Sequence, residues 1–335
     1  MRMREIAALP DPLLEAFVEV FNAVEEHGIW PDGVLDSLVT LIPKGEGNDP
    51  LKLRPITVTS ALYRLWASIR LADVLRWQEK WIHSSQHGFR PRHSCDDVIM
   101  DIALELEQAQ LDGVAVHGIA LDFAKCFDWV PQNLVLALVE KLGLHPRILR
   151  PIEMMYRSLR RRFKYPLGVG QSFEVTNGIL QGCPISIVLI NALLSVLSRA
   201  IVAEVEHAAP RSYADDLYLL SHVRAALQKG VDITEELCRL TGLALNAEKS
   251  VGFSTDPQGS PTITISGVPV PTSPHVKVLG VTLGTFGPVA SPRVSTAIRL
   301  AARLEAAPLK PFQRLVVLQA MAPPRSTGPP TIRTR

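Results

Sequence analysis

Cysteine is scarce in this chain, with four in 335 residues, at positions 95, 126, 183 and 238. No two of them form a Cys-x-x-Cys pair, which argues against a thiol-based zinc site and against a disulfide framework. Four dispersed thiols suit a reducing compartment. An excess of one charge is lacking too: the net charge is +2 and the isoelectric point about 8.4. Affinity for nucleic acid then has to come from local patches rather than the global balance. The N-terminus has no apolar core followed by a small-residue cleavage site, so no secretory signal is expected. One long apolar run exists, at 185–205. It is interrupted by Ser186, Asn191, Ser195, Ser198, Arg199 and Glu204. Charges inside a membrane span are costly, so this run reads as a buried helix. The expectation is an intracellular protein, in nucleus or cytoplasm, without membrane contact. Internal repeats are absent.

The chain does have the apolar mass for a large core, at 47% hydrophobic and 20% charged. Its length suggests about two domains or lobes. Helical periodicity runs over 12–28, closed by Gly28. A strand is expected at Leu38–Ile42, a loop at Pro43–Pro50 and a returning strand at Arg54–Val58. Ser60 then caps a helix reaching about Trp81, whose tryptophans read as core. Further helices are expected at 94–110, 132–142, 146–159, 184–206 and 223–240. Val114–Phe123 reads as a strand buried on both faces. Hairpins are expected within 160–175 and around Tyr213, and strands near 251–254, 262–266 and 276–283. Val294–Ala306 reads as an amphipathic helix, and the Pro-rich tail as disordered. Strands and helices mix without strict alternation, which indicates an α+β fold rather than a doubly wound sheet.

Tyr213-Ala214-Asp215-Asp216, between short apolar runs, reads as a hairpin with carboxylates at its tip. An isolated Asp-Asp pair is usually a solvated turn. A second acid changes that reading. Asp122 ends an apolar strand, where a carboxylate is costly unless paired or bound to a cation. Two-metal phosphoryl transfer needs carboxylates from different strands converging on cations about 3.5–4 Å apart. Between the two acids, Gln181-Gly182-Cys183-Pro184-Ile185-Ser186 reads as a Gly turn feeding a helix, a form that can cradle a nucleotide or template base.

These blocks resemble, in order, those of the reverse transcriptases of non-LTR (LINE-like) retrotransposons, related to the group II intron enzymes. Leu41-Ile42-Pro43-Lys44 with Arg54-Pro55-Ile56 looks like the fingers block. Gln86-His87-Gly88-Phe89-Arg90 through Ser94 looks like the Q-x-G-F-R…S block. Leu121–Asp128 resembles the first catalytic block, Gln181–Ser186 the QG-x-P-x-S block and Tyr213–Asp216 the YxDD block. Leu245–Ser250 resembles the LN-x-x-K block, and Val278–Val281 the LG primer-grip region. Each is weak alone, but seven in order are specific.

The resemblance implies an α+β right-hand polymerase core with an antiparallel palm sheet backed by helices. Its implied divisions are an N-terminal helical extension at 1–37, fingers at 38–115 and a palm at 116–255. A primer grip and partial thumb would occupy 256–320, and a disordered tail 321–335. It also implies RNA-directed DNA polymerase chemistry on an RNA template and DNA primer, with dNTPs and two Mg2+ ions, for which Mn2+ could substitute. By position, Asp122 and Asp215 would bind both ions, Asp216 would support them, and the Phe123 carbonyl would be a further ligand. Phe127 would exclude a 2′-hydroxyl. Lys44 and Arg54 would hold the triphosphate. Gln181 and Gly182 would contact the nascent base pair, and Lys249 would lie near the leaving pyrophosphate. Arg157, Arg160, Arg161, Arg162 and Lys164 form the densest basic cluster, read equally as a phosphate-backbone contact or as a solvated helix end.

The match has departures. Ser186 is followed by Ile187 where the family usually has Pro, and no Cys/His knuckle appears. The segment after the LG block is expected to be too short for a complete thumb. Two alternatives therefore stand beside the polymerase reading: a truncated, inactive retroelement remnant that binds RNA without catalysis, and a group II intron maturase-like protein. Phe127 and Tyr213-Ala214 argue against a viral RNA-dependent RNA polymerase. Oligomeric state is not legible.

Overall fold

The computed structural model describes residues 3–43, 53–287 and 302–310 and positions 289, 299, 313 and 314, except 7, 166, 260 and 261. Two helices, α1 (Met3–Ile6) and α2 (Asp11–His27), open the chain. Gly28 ends α2 in the left-handed conformation, φ 74°, with its N–H on the Val24 carbonyl. Strands β1 (Asp36–Pro43) and β2 (Leu53–Val58) follow, and then α3 (Ala61–Gln78), capped as expected by the Ser60 hydroxyl. Helix α3 stops at Gln78 rather than near Trp81, because Lys80 and Trp81 donate to the third residue back instead of the fourth. A reciprocal capping box, Ser94 with Asp97, starts α4 (Cys95–Asp112).

The next strand, β3 (His117–Leu121), is shorter than the expected 114–123. Val114 still belongs to the helix end, with its N–H on the Ala109 carbonyl. The Asp122 N–H leaves the sheet for the Ser250 hydroxyl. Helices α5 (Cys126–Trp129), α6 (Gln132–Lys141) and α7 (Pro146–Ser158) lead to the hairpin β4 (Arg160–Tyr165) and β5 (Gly168–Phe173). Helix α8 (Ser186–Glu204) begins two residues later than expected, after a turn through Pro184. It is the one described helix long and apolar enough to cross a membrane, and most of it is buried inside the protein.

The hairpin β6 (Ala209–Tyr213) and β7 (Asp216–Ser221) precedes α9 (Arg224–Thr241) and β8 (Val251–Ser254). Two small hairpins finish the described fold. They are β9 (Thr264–Ile265) with β10 (Val268–Pro269), and β11 (His275–Val278) with β12 (Val281–Gly284). The single strand expected at 276–283 is thus a hairpin. Leu279 and Gly280, both at positive φ, form its two-residue turn. The amphipathic helix expected at 294–306 lies largely outside the described residues, as do the tail from 315 and Lys44; residues 302–306 are helical.

The elements build an α+β fold with two four-stranded sheets. One has the order β2-β1-β4-β5 and is mixed, with β1 and β4 parallel. The other, β6-β7-β3-β8, is antiparallel throughout. Its central strand β7 alternates. Leu217 and Leu219 join the main core, while Tyr218 and Leu220 join a second cluster with α4, Phe253 and Val276. Apolar layers thus cover both faces of this sheet, which is why β7 reads as a nearly continuous hydrophobic run rather than an alternation. Trp66 and Trp81 are buried and Trp77 packs against the core, as expected of helix-spaced aromatics.

Candidate active site

The antiparallel sheet fixes where the acids go. Strands β3 and β7 are neighbours, in register from His117 opposite Ser221 to Leu121 opposite Leu217. Asp122 follows the last paired residue of β3, and Asp216 opens β7 beside it. Asp215 sits in the two-residue turn between Tyr213 and Asp216. All three carboxylates line one cleft of about 850 Å³. Crowding registers on Asp216. Burial, then the charges of Asp215 and Asp122, push its carboxyl up to about 6, although it remains accessible from the cleft.

The hairpin tip is held from behind. Ala214 takes a left-handed conformation, φ 54°. The strand leading to it is clamped by the 85–89 segment: the Ser212 N–H donates to the Ser85 carbonyl, and the His87 N–H to the Ser212 carbonyl, each at 2.9 Å. Gln86 is buried and accepts from the Ser195 hydroxyl at 2.7 Å. Asn191 of α8 donates to the Gly88 carbonyl and to Gln78. The Phe89 and Tyr213 rings lie 5.9 Å apart.

Asp122 is held on the other side by the 244–250 segment. Its carbonyl accepts from the Asn246 N–H at 2.8 Å, and the Ala124 N–H donates to the Ala244 carbonyl. Phe123 bridges Leu245 through these flanking groups, so that bridge leaves the Phe123 carbonyl unused. The Asn246 side chain accepts from the Lys249 N–H, which turns Lys249 into the cleft, where it is exposed.

The segment before α8 forms the opposite wall. The Gln181 carbonyl accepts from the Thr57 N–H at 3.2 Å, which ties this wall to β2. Gly182 is at φ 110°, and a Cβ there would lie 3.3 Å from the Thr57 carbonyl oxygen, so only glycine fits without strain. The Gln181 amide donates to Asp128 at 2.7 Å. Tyr156 accepts the Leu180 N–H and bonds the Ser186 hydroxyl, from full burial.

The cleft thus brings together Asp122, Asp215, Asp216, Phe123, Phe127, Gln181, Gly182, Lys249 and Arg54. It does not unite the basic cluster. Arg160 pairs with Asp36 at 3.1 Å, Arg162 lies 3.8 Å from the same acid, and Arg157 approaches Glu153. Arg161 turns inward and is buried, and burial lowers its guanidinium pKa. Of the five residues, β4 carries four, and strand alternation sends only Arg161 to the buried face, so sequence proximity counts one cation too many here. Asp128, Asn246 and Ser250 were missed as organisers of the site. Asp128 has only its place six residues after Asp122 to mark it, and the other two lie inside the LN-x-x-K block.

Comparison with protein families matches residues 42–283 to reverse transcriptase (RNA-dependent DNA polymerase). The chain is 26% identical over 330 residues to a retrovirus-related Pol polyprotein from the type-1 retrotransposable element R2 of Nasonia vitripennis, covering 93% of this chain and 32% of that protein. It is equally similar, 26% over 330 residues, to the Pol polyprotein of the type-2 element R2DM of Drosophila melanogaster, covering 92% and 31%. The chain thus spans about a third of the length of these relatives. Among solved structures, apo telomerase from Candida tropicalis superimposes with a TM-score of 0.56 at 13% identity, over 83% of this chain and 52% of that one. Its form truncated from the C-terminal domain gives 0.54 at 16% identity, over 81% and 60%. At these identities the likeness shows the fold.

Proposed function

Because this chain belongs to the reverse transcriptase (RNA-dependent DNA polymerase) family, we propose that its carboxylate cleft catalyses RNA-directed DNA synthesis, joining dNMP to a primer 3′-hydroxyl on an RNA template. The observation that carries the reading is the convergence of Asp122, Asp215 and Asp216, where burial first, and then the charges of the other two, raise the pKa of Asp216. Carboxylates so placed repel one another, and a divalent cation relieves that repulsion. Members of this family generally use divalent metal ions, and an all-oxygen donor set suits Mg2+, with Mn2+ as a substitute. Asp122 and Asp215 would hold two such ions, with Asp216 and the Phe123 carbonyl in support; the ions supply neutralisation of charge on the attacking and leaving oxygens.

The remaining roles belong to side chains. Arg54 and Lys249 bring positive charge to the cleft, where Arg54 suits the triphosphate and Lys249 the departing pyrophosphate. The family resemblance assigns the triphosphate to Lys44 as well, which lies outside the described residues. Gln181, oriented by Asp128, and Gly182, whose missing side chain admits close approach, face the nascent base pair. Phe127, which lines the same cleft, would exclude a 2′-hydroxyl. The β2-β1-β4-β5 sheet would serve as fingers and the β6-β7-β3-β8 sheet as palm; β4 and β5 would thereby join the fingers from within the span 116–255 otherwise expected of the palm. Template RNA, primer and dNTPs are the partners. Phosphoryl transfer of this kind is mostly positioning and charge neutralisation, which these groups supply.

Primer extension on an RNA template with Mg2+ tests this. Asp215→Asn is expected to lower incorporation on the order of a thousand-fold, the few kcal/mol that charge neutralisation contributes. Equal incorporation by both proteins would remove the assignment. RNA binding without extension by the unmutated chain would favour a non-catalytic remnant.

A further inference from the structure

Behind the catalytic hairpin lies a second group of donor atoms, none of which lines the cleft. The Nδ1 atoms of His87 and His93 face each other at 3.1 Å, with the rings edge to face. An Asp97 carboxylate oxygen lies 3.8 Å from the His93 Nδ1. One donor atom from each of the three residues falls within 4.8 Å of the others. We propose that His87, His93 and Asp97 form a site for a borderline transition-metal cation, Zn2+ or Co2+, that clamps the loop supporting the Tyr213–Asp216 hairpin.

The distances suit such an ion. Zinc takes imidazole nitrogen at about 2.0–2.1 Å, so two nitrogens on one tetrahedral ion lie about 3.3–3.4 Å apart. The observed separation is within a few tenths of that, and a small outward motion of one ring makes up the difference. The donor set is two nitrogens and one oxygen. That favours zinc or cobalt over magnesium, which prefers oxygen in octahedral geometry. Three protein ligands leave a fourth position for water, and Asp97 is exposed, so the site has an entry path.

The donors are also held in place before any ion arrives. The His87 N–H is fixed on the Ser212 carbonyl. The carboxylate oxygen of Asp97 that faces His93 accepts the Ser94 N–H at 2.7 Å within the α4 capping box. The His93 N–H donates to the Arg90 carbonyl, and the Arg90 side chain is tied to Glu79 and to the Gln86 carbonyl. Phe89 and Arg92 are both left-handed, at φ 57° and 64°, a strain that non-glycine residues bear when their surroundings impose it. An ion here would join the 86–93 loop to the start of α4, and that loop carries Gly88 directly beneath the hairpin turn.

The rival is a simple hydrogen bond between two neutral imidazoles, which the 3.1 Å separation also allows. Calorimetry on the whole chain, stripped with chelator and then given excess Mg2+ to occupy the carboxylates, separates the two. One equivalent of Zn2+ is expected to bind, and Co2+ in its place to give the visible absorption of tetrahedral coordination. His93→Gln removes a ligand at a partly exposed position and is expected to weaken Zn2+ by more than the roughly 10–100-fold that loss of an outer partner costs. His87→Gln is expected to do the same, and Asp122→Asn to leave Zn2+ binding intact. No Zn2+ uptake under Mg2+, unchanged affinity in His93→Gln, or loss of binding in Asp122→Asn would each overturn the site. The first two of those outcomes leave the polymerase reading untouched, and the third would place the cation at its carboxylates instead.

Discussion

Gly88 lies against the backbone of Ala214 so closely that a Cβ at position 88 would come 2.4 Å from the Ala214 nitrogen. The loop glycine and the turn carrying the acids are therefore one mechanical unit. Gly88→Ala cannot be absorbed by a flexible side chain, because the obstructing atoms are backbone. Overpacking of this sort costs about 1–3 kcal/mol. Urea unfolding should show that loss for Gly88→Ala. The control Gly33→Ala, with nothing within 4 Å of its new Cβ, should stay within about 0.5 kcal/mol of the parent. Primer extension should fall further than stability does, since the shift displaces Asp215 and Asp216. Equal stability of the two variants would refute the contact.

The raised carboxyl of Asp216 has a consequence for stability against pH. Its folded-state value, about 6, lies above the ordinary 3.8, so the folded protein binds this proton more tightly than the unfolded chain does. Stability then falls as pH rises through the window from about 4 to 6, and the deficit is complete above it. Asp216→Asn removes the deficit. In metal-free protein at neutral pH it should raise Tm by about 2–4 °C at most, since the group is accessible and solvent screens part of the effect. The gain should vanish below about pH 4. Adding Mg2+ should stabilise the parent more than the variant, because the parent retains the third carboxylate. A variant no more stable than the parent at neutral pH, or a gain that ignores pH, contradicts the crowding.

Phe127 lines the cleft half-buried and packs against the main core, while its carbonyl holds the Ile179 N–H at 2.8 Å. Its position is thus rigid, as a steric gate requires. Phe127→Ala should leave dNTP incorporation within a few-fold and raise rNTP incorporation on the order of ten-fold, the scale on which a lost hydrophobic contact changes selection. The measurement is kcat/KM for each nucleotide. Unchanged discrimination would remove the gate role.

The sequence made the acid geometry legible because two local signals each had a separate cause. An apolar strand ending in Asp122 and an apolar hairpin tipped by Asp215 and Asp216 both follow from side-chain period and turn chemistry. That β3 and β7 pair is a tertiary fact, and only the order of the motif blocks pointed to it. What stayed hidden was support that acts at a distance in sequence. Gly88 is marked in the sequence only by its place in the Q-x-G-F-R block, with nothing to show Ala214 above it, and Asn191 only as a polar interruption of an apolar helix, although it holds Gly88 and Gln78. Arg161 shows the converse failure. Its neighbours 160 and 162 are exposed or half-exposed, but strand alternation sends its own side chain inward, so charge density along the chain overstated the basic surface.

The Gln181 amide reaches across to Asp128 at 2.7 Å, and this contact orients the wall facing the acids. Gln181 and Asp128 are 53 residues apart in sequence. A hydrogen bond to a carboxylate contributes about 1.5–3 kcal/mol, equivalent to roughly ten-fold to a hundred-fold in binding. Asp128→Ala would free the amide to rotate away from the base pair it is proposed to meet. The expected result is a KM for dNTP raised at least about ten-fold with kcat nearly unchanged, since the three acids and their supports are untouched. Asp128→Asn keeps an acceptor oxygen in the same place and should restore most of the affinity. A purely structural Asp128 would instead lower Tm in both variants and change kcat and KM together. Steady-state incorporation with both variants, read beside their melting curves, tells the two roles apart.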